Sequence, residues 1–318
     1  MKVVWAALVA MGCTGSDSFE DTSSTEDTTS TDDTSRSDTG TPTSVEDTTS
    51  TDDTSRSDTG TPASATLLLV LDNSDSMVTS AMSLAVGLDD VVAALPAGTL
   101  VAMTTVDVDA RAGELIGAPT NDAAVLATQL LCEATCFRAG WVVASDPTHV
   151  CGDALGDEVT SEWLDCACGA GAWRENCPAA VEEGLEAIWL ATCRADAAAP
   201  PACFDNGLLA AADAGSLELG EVHAVVISDE GDGSRRLDRE EDASLYVDLL
   251  ASSSVDVTVS AVVPGLVAGA LACPGLATDW GVKRYLDAVT QTGGFSANVF
   301  DGSCRPADAA AAVVSVLP

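Results

Sequence analysis

Asp72, Ser74 and Ser76 stand at alternate positions directly after an apolar run, in the stretch LLLVLDNSDSM. A carboxylate and two hydroxyls so spaced on an extended or turning segment can aim their oxygens in one direction. Such hard donors suit Mg²⁺ or a similar divalent cation, Mn²⁺ or Ca²⁺, that keeps some of its waters, and they give no selectivity for zinc. A second acid, Asp229, ends another apolar run, VVISDEGD. In an open parallel sheet ligands bind beyond the carboxyl ends of the strands, so Asp229 is expected at the same edge as Asp72, Ser74 and Ser76. The plainer alternative is that Asp72 and its serines merely end a strand in an Asx/Ser turn.

The elements that must position these residues are legible beyond residue 65. TLLLVLD (66–72), TLVAMTTVD (99–107), EVHAVVISD (221–229) and VDVTVSAVV (255–263) are short β-branched runs, as expected of strands covered on both faces. Between them, residues 82–95, 179–193, 241–252 and 282–294 carry apolar side chains at helical spacing, the last ending at glycines suited to a C-cap. The closing ADAAAAVVSVLP is a short helix, too weakly apolar to span a membrane. Strand and helix in alternation predict an α/β fold: a doubly wound, mostly parallel sheet with helices on both faces. Residues 128–178 break the alternation; they hold six cysteines and three tryptophans amid Gly, Asp and Ser, and read as a disulfide-rich insertion. Asp107, after the second strand, fits a cap of the strand-to-loop turn.

Asp72-x-Ser74-x-Ser76 after a buried strand, with Ser228-Asp229 ending a later one, resembles the von Willebrand factor type A domain, Rossmann-like in fold, and its metal-ion-dependent adhesion site. The likeness runs from about residue 66 to the end and is closest to exported, cysteine-containing versions in bacterial lipoproteins. It implies that the two serines bind the metal directly, that the acids act mostly through water, and that a third-loop threonine completes the set. The loop before the 179–193 pattern, RENCPAAVEEGLEA, has no Thr or Ser, which leaves Asn176, a water or nothing in that role. The resemblance further implies recognition, not catalysis: a protein or other acidic-group ligand lends a carboxylate to the cation's open position.

The other motifs frame that reading. Met1-Lys2 followed by VVWAALVAMGC has the layout of a secretory signal. Gly12-Cys13 resembles a lipoprotein cleavage point, with Cys13 as the lipidated residue; the alternative is an ordinary signal. A lipid on Cys13 would hold the chain to the cell envelope, at the outer membrane or cell surface, without a transmembrane helix. Residues 13–65 are almost wholly Ser, Thr, Asp, Glu, Gly and Pro and contain a tandem duplication, 24–43 and 44–63, differing at two positions. With thirteen acidic and two basic side chains over residues 14–66, this segment cannot offset the entropy of ordering and reads as an acidic spacer reaching about 40 Å or more. The formal charge of −37 leaves no basic stripe for nucleic acid; it also suits high-salt surroundings.

Ten further cysteines, Cys132, Cys136, Cys151, Cys166, Cys168, Cys177, Cys193, Cys203, Cys273 and Cys304, favour disulfides in an exported chain. Zinc is the rival, with His149, Cys151, Cys166 and Cys168 as donors, although no paired C-x-x-C knuckles occur. No nucleophile elbow, H-E-x-x-H or Walker loop is present. His223 begins the strand that Asp229 ends, about 20 Å away in extended form, so a metal-assisted hydrolase built on Asp72 and Asp229 is the weakest reading. A metal-free structural envelope protein stands between the two.

Overall fold

The computed structural model describes residues 65–134, 165, 168, 182–237, 242–267, 270–273 and 279–318. The signal-like segment, Cys13 and the spacer up to residue 64 lie outside them, as do Cys136, Cys151, Cys166, Cys177, His149 and Asn176.

Five strands form one sheet: β1 (Thr66–Leu71), β2 (Leu100–Thr105), β3 (Val222–Ile227), β4 (Val257–Val263) and, after a small antiparallel hairpin of β5 (Leu266–Val267) and β6 (Ala270–Leu271), the edge strand β7 (Ser296–Asn298). Their order is β2-β1-β3-β4-β7 and every pair is parallel. On the outer edge of β2 an antiparallel bridge, in which Val101 and Thr120 exchange hydrogen bonds of 2.8 and 3.0 Å, occupies part of an otherwise adhesive strand edge.

The near-total apolarity of β1 follows from helices packing on both sides. Leu67, Leu69 and Leu71 enter one core with Leu84, Leu88, Leu126 and Val313. These come from α1 (Val78–Val86), α2 (Leu88–Ala94), α4 (Ala123–Gln129) and α8 (Ala309–Ser315), with the one-turn α3 (Val108–Arg111) lying between β2 and α4 in the chain. Leu68 and Val70 enter the other core, with Ile188, Trp189, Tyr246, Val282 and Tyr285 from α5 (Gly184–Ala195), α6 (Ser244–Ser252) and α7 (Asp279–Thr292). The protein is therefore α/β, with a parallel sheet between two helical layers. Among the described residues no helix is long and apolar enough to cross a membrane.

Several boundaries differ from the sequence expectation, each for a packing reason. The 82–95 pattern is two helices, not one, because Gly87 sits against α8: a Cβ there would lie 2.2 Å from that of Ala310. The 179–193 helix begins at Gly184, where the hydroxyl of Tyr285 stands 2.5 Å from where a Cβ would be, so Glu182 and Glu183 precede the helix instead of riding on it. β7 and α4 are additional to the predicted elements, and α4 runs into a five-residue π-turn, Leu130–Ala134, at the start of the cysteine-rich stretch. The glycine C-cap of α7 is present: Gly293 has φ +78° and the N–H of Gly294 donates to the carbonyl of Val289, the closing geometry of a Schellman motif.

Three disulfides are formed among the described cysteines, Cys132–Cys168, Cys193–Cys203 and Cys273–Cys304. Cys168, a zinc donor in the rival reading, is committed to Cys132.

Candidate metal centre at the carboxyl ends of β1 and β3

The connection from β1 runs outward to β2, whereas that from β3 runs the other way to β4. The carboxyl ends of β1 and β3 therefore flank the topological switch point, the usual place for a ligand in such a sheet. Asp72 leaves β1 there and its N–H still donates to the carbonyl of Ile227, the last residue of β3, at 2.9 Å. Asp229 leaves β3 two residues beyond Ile227. The two acids quoted from separate strands are thus brought to one place by the ladder itself.

The four sequence-predicted residues form one hydrogen-bonded chain. Oδ1 of Asp72 accepts the Ser74 N–H at 2.8 Å, which tightens the loop into an Asx-turn. Ser74 Oγ lies 3.0 Å from Ser76 Oγ, and the Ser76 hydroxyl donates to Oδ1 of Asp229 at 3.0 Å. The second oxygen of Asp72 accepts the hydroxyl of Ser228 at 2.6 Å, so a buried side chain of the β3 loop clamps the buried carboxylate of the β1 loop. Burial raises the pKa of Asp72, with the charge of Glu230 adding to it and the bonds from Ser228 and Ser74 opposing. Asp229 is pushed up to about 7 by burial first and then by the neighbouring charge of Asp72.

Glu182 and Glu230, which the sequence did not single out, complete the surroundings. Glu182 is buried at 7% exposure; the Gly233 N–H donates to its carbonyl at 2.6 Å and the next residue's N–H donates to Val106 at the end of β2. Its carboxyl is raised well above the ordinary range by burial first, then by the charges of Asp72 and Glu230. Arg235, the nearest base along the β3 loop, is taken by Glu183 at 2.9 Å and Asp109 at 2.8 Å. The signal that could have found Glu182 is the pair of acids standing just before a glycine-led helix.

Asp107 caps α3 by accepting the Ala110 N–H, as its position predicted. His223 is not brought to Asp229: its Nε2 lies 3.2 Å from the carbonyl oxygen of Val316, at the opposite end of β3.

The donor set fits a hydrated divalent cation better than a dry carboxylate cage. Among the described residues no three His, Cys, Asp or Glu side chains converge on a metal position, and both oxygens of Asp72 are already engaged. The Ser74, Ser76 and Asp229 oxygens, by contrast, succeed one another at 3.0 Å, the separation of adjacent ligands around an octahedral ion with bonds of about 2.1 Å. Thr105 Oγ1 and Asn73 Oδ1, buried at the ends of β2 and β1, have no hydrogen-bond partner, and orphaned buried oxygens ask for a donor such as a bound water. Compared with family models and with curated proteins, the chain matches none.

Proposed function

We propose that residues 66–318 form a von Willebrand factor A-like binding module whose cation site, Asp72, Ser74, Ser76 and Asp229, recognises an oxygen-bearing group of a partner. Following the resemblance, that group is a carboxylate of a protein or other acidic ligand. What carries the reading is the run of Ser74 Oγ, Ser76 Oγ and Asp229 Oδ1 at 3.0 Å steps across the β1–β3 switch point. Ser74 and Ser76 would hold the cation directly. Asp72, with both oxygens engaged, would act through water while fixing the loop, and Asp229 would lend charge from the second strand. The cation, Mg²⁺ first, would supply an electrophilic open position, which neutral hydroxyl ligands leave positively charged. On this reading Cys13 and the duplicated acidic spacer tether the module to the cell envelope, and the protein is not an enzyme.

A calorimetric titration of Mg²⁺ and Mn²⁺ into the full chain and its Asp72→Ala variant tests this. Saturable binding that vanishes in the variant is the expected result; equal binding in both removes Asp72 from the site. The second reading, a metal-free structural module, draws on the absence of three converging metal-type side chains among the described residues, and it predicts no heat with either cation.

A further inference from the structure

We infer that Glu182 is the third-loop residue of this site, a carboxylate that helps hold the divalent cation, through a water, where the resemblance leads one to look for a threonine. The inference rests on the cation reading above. Three observations bring Glu182 to it. The residue is held in place by its backbone, since the Gly233 N–H donates to the Glu182 carbonyl at 2.6 Å and the Glu183 N–H donates to the Val106 carbonyl at 3.2 Å. Those two bonds pin the residue between the loop that carries Asp229 and the end of β2, the strand that flanks β1 on its other side. Its side chain is buried and lies within reach of the charges of Asp72 and Glu230.

Among the described residues no base is paired with this carboxylate. Arg235 is bonded to Glu183 and Asp109, and Arg236 to Glu186 and Asp205; among the described residues no ion pair with Glu182, Glu230, Asp72 or Asp229 is formed. A purely structural buried glutamate is normally matched as Glu186 is, whose oxygens are met by Arg236 at 2.9 Å, Tyr246 at 2.6 Å and Asn206 at 2.6 Å. Glu182 and Glu186 lie on the same segment, four residues apart, and among the described residues only Glu186 of the two has a cationic partner. Burying a carboxyl without a base is costly. A cation at the neighbouring hydroxyls is the partner that would offset that cost. Asp72 with its oxygens engaged and Asp229 would then stand beside an ion held by two serines, and Glu182 would reach it only through a water.

The experiment compares the full chain, stripped with chelator, as wild type, Glu182→Gln and Glu182→Asp, by calorimetric titration of Mn²⁺ and by melting with and without Mn²⁺. The expected result is that Glu182→Gln, relieved of a buried unmatched acid, melts no lower than wild type without metal, yet binds Mn²⁺ about tenfold or more weakly, the usual cost of losing an outer acid. It should also lose most of the metal-induced rise in melting temperature, while Glu182→Asp keeps an intermediate affinity. Unchanged Mn²⁺ affinity in Glu182→Gln, with wild type and Asp72→Ala behaving as above, overturns the role of Glu182 and leaves the cation site standing. No binding by the wild type overturns both. A Glu182→Gln protein that melts well below wild type without metal marks Glu182 as a structural residue and also overturns the assignment.

Discussion

Two Asp-x-Ser turns in this protein share one local design and diverge in everything else. Asp72-Asn73-Ser74 follows β1 and Asp232-Gly233-Ser234 belongs to the loop after β3; in each, the aspartate accepts the N–H of the serine two residues on, at 2.8 and 3.3 Å. Around Asp232 the loop is sealed. Asp232 and Ser234 have no exposure; Asp232 accepts the Leu185 N–H and Ser234 the Glu186 N–H, satisfying the first turn of α5, with the buried Arg284 beside them. Around Asp72 the carboxylate is buried but the hydroxyls of Ser74 and Ser76 reach the surface, and no helix end claims them. The Asx-turn supplies only a way of presenting oxygens. A helix N-terminus across from it makes a cap, and open solvent across from it leaves a candidate site.

Replacing Asp232 by Ala should be the most damaging change, about 3 kcal/mol, because it uncaps α5 and withdraws a buried acid from Arg284. Asp72→Ala should cost less, about 1 kcal/mol, since removing a buried, disfavoured charge offsets part of the two lost hydrogen bonds. Urea unfolding of both variants measures the difference, and equal losses would erase the contrast between the turns. Acidity offers a second lever. Burial raises Asp229 to about 7 and Asp232 to about 6, above the value of about 3.9 in the unfolded chain. Both acids therefore bind protons more tightly when folded, and the stability they contribute is fully present below about pH 4 and lost as pH rises through 6 to 7. The chelator-stripped protein should thus melt a few degrees higher at about pH 5 than at about pH 7.5, and Asp229→Asn should flatten part of that slope. The smallest effects separate the serines: Ser234→Ala should cost about 1 kcal/mol as a lost cap. Ser76→Ala should change stability by less than about 0.5 kcal/mol and only weaken Mn²⁺ binding, and a stability loss equal to that of Ser234→Ala would give both serines the same structural role.

The sequence discloses those parts of the fold whose signal is local. Four strands of apolar, β-branched residues and the periodic helices are found within a few residues, because burial on both faces writes itself into composition. Ser296–Asn298 is polar and only three residues long; it is a strand solely because β4 offers it a ladder. Gly87 divides a helix for a reason that resides in Ala310, more than two hundred positions away. The candidate site follows the same division. Asp72, Ser74, Ser76 and Asp229 were readable from spacing and strand ends, since the sheet order carries each to one edge. Glu182 was not, because its place depends on Gly184 yielding to Tyr285 and on the loop bonds to Gly233 and Val106, none of which leaves a mark in the adjacent residues.

β1 also sets a direction of display. The chain enters the sheet at Ala65, and six strand residues later it delivers Asp72, so point of attachment and candidate site are separated by the strand's length, about 20 Å. A tether acting upstream of Ala65, as proposed above, would pull on the end of β1 opposite Asp72. A load borne between a partner at Asp72 and a tether at Ala65 would run lengthwise through the covalent backbone of β1 itself, a central strand held in register by β2 and β3. The distance between the two points is set by where a single strand begins and ends.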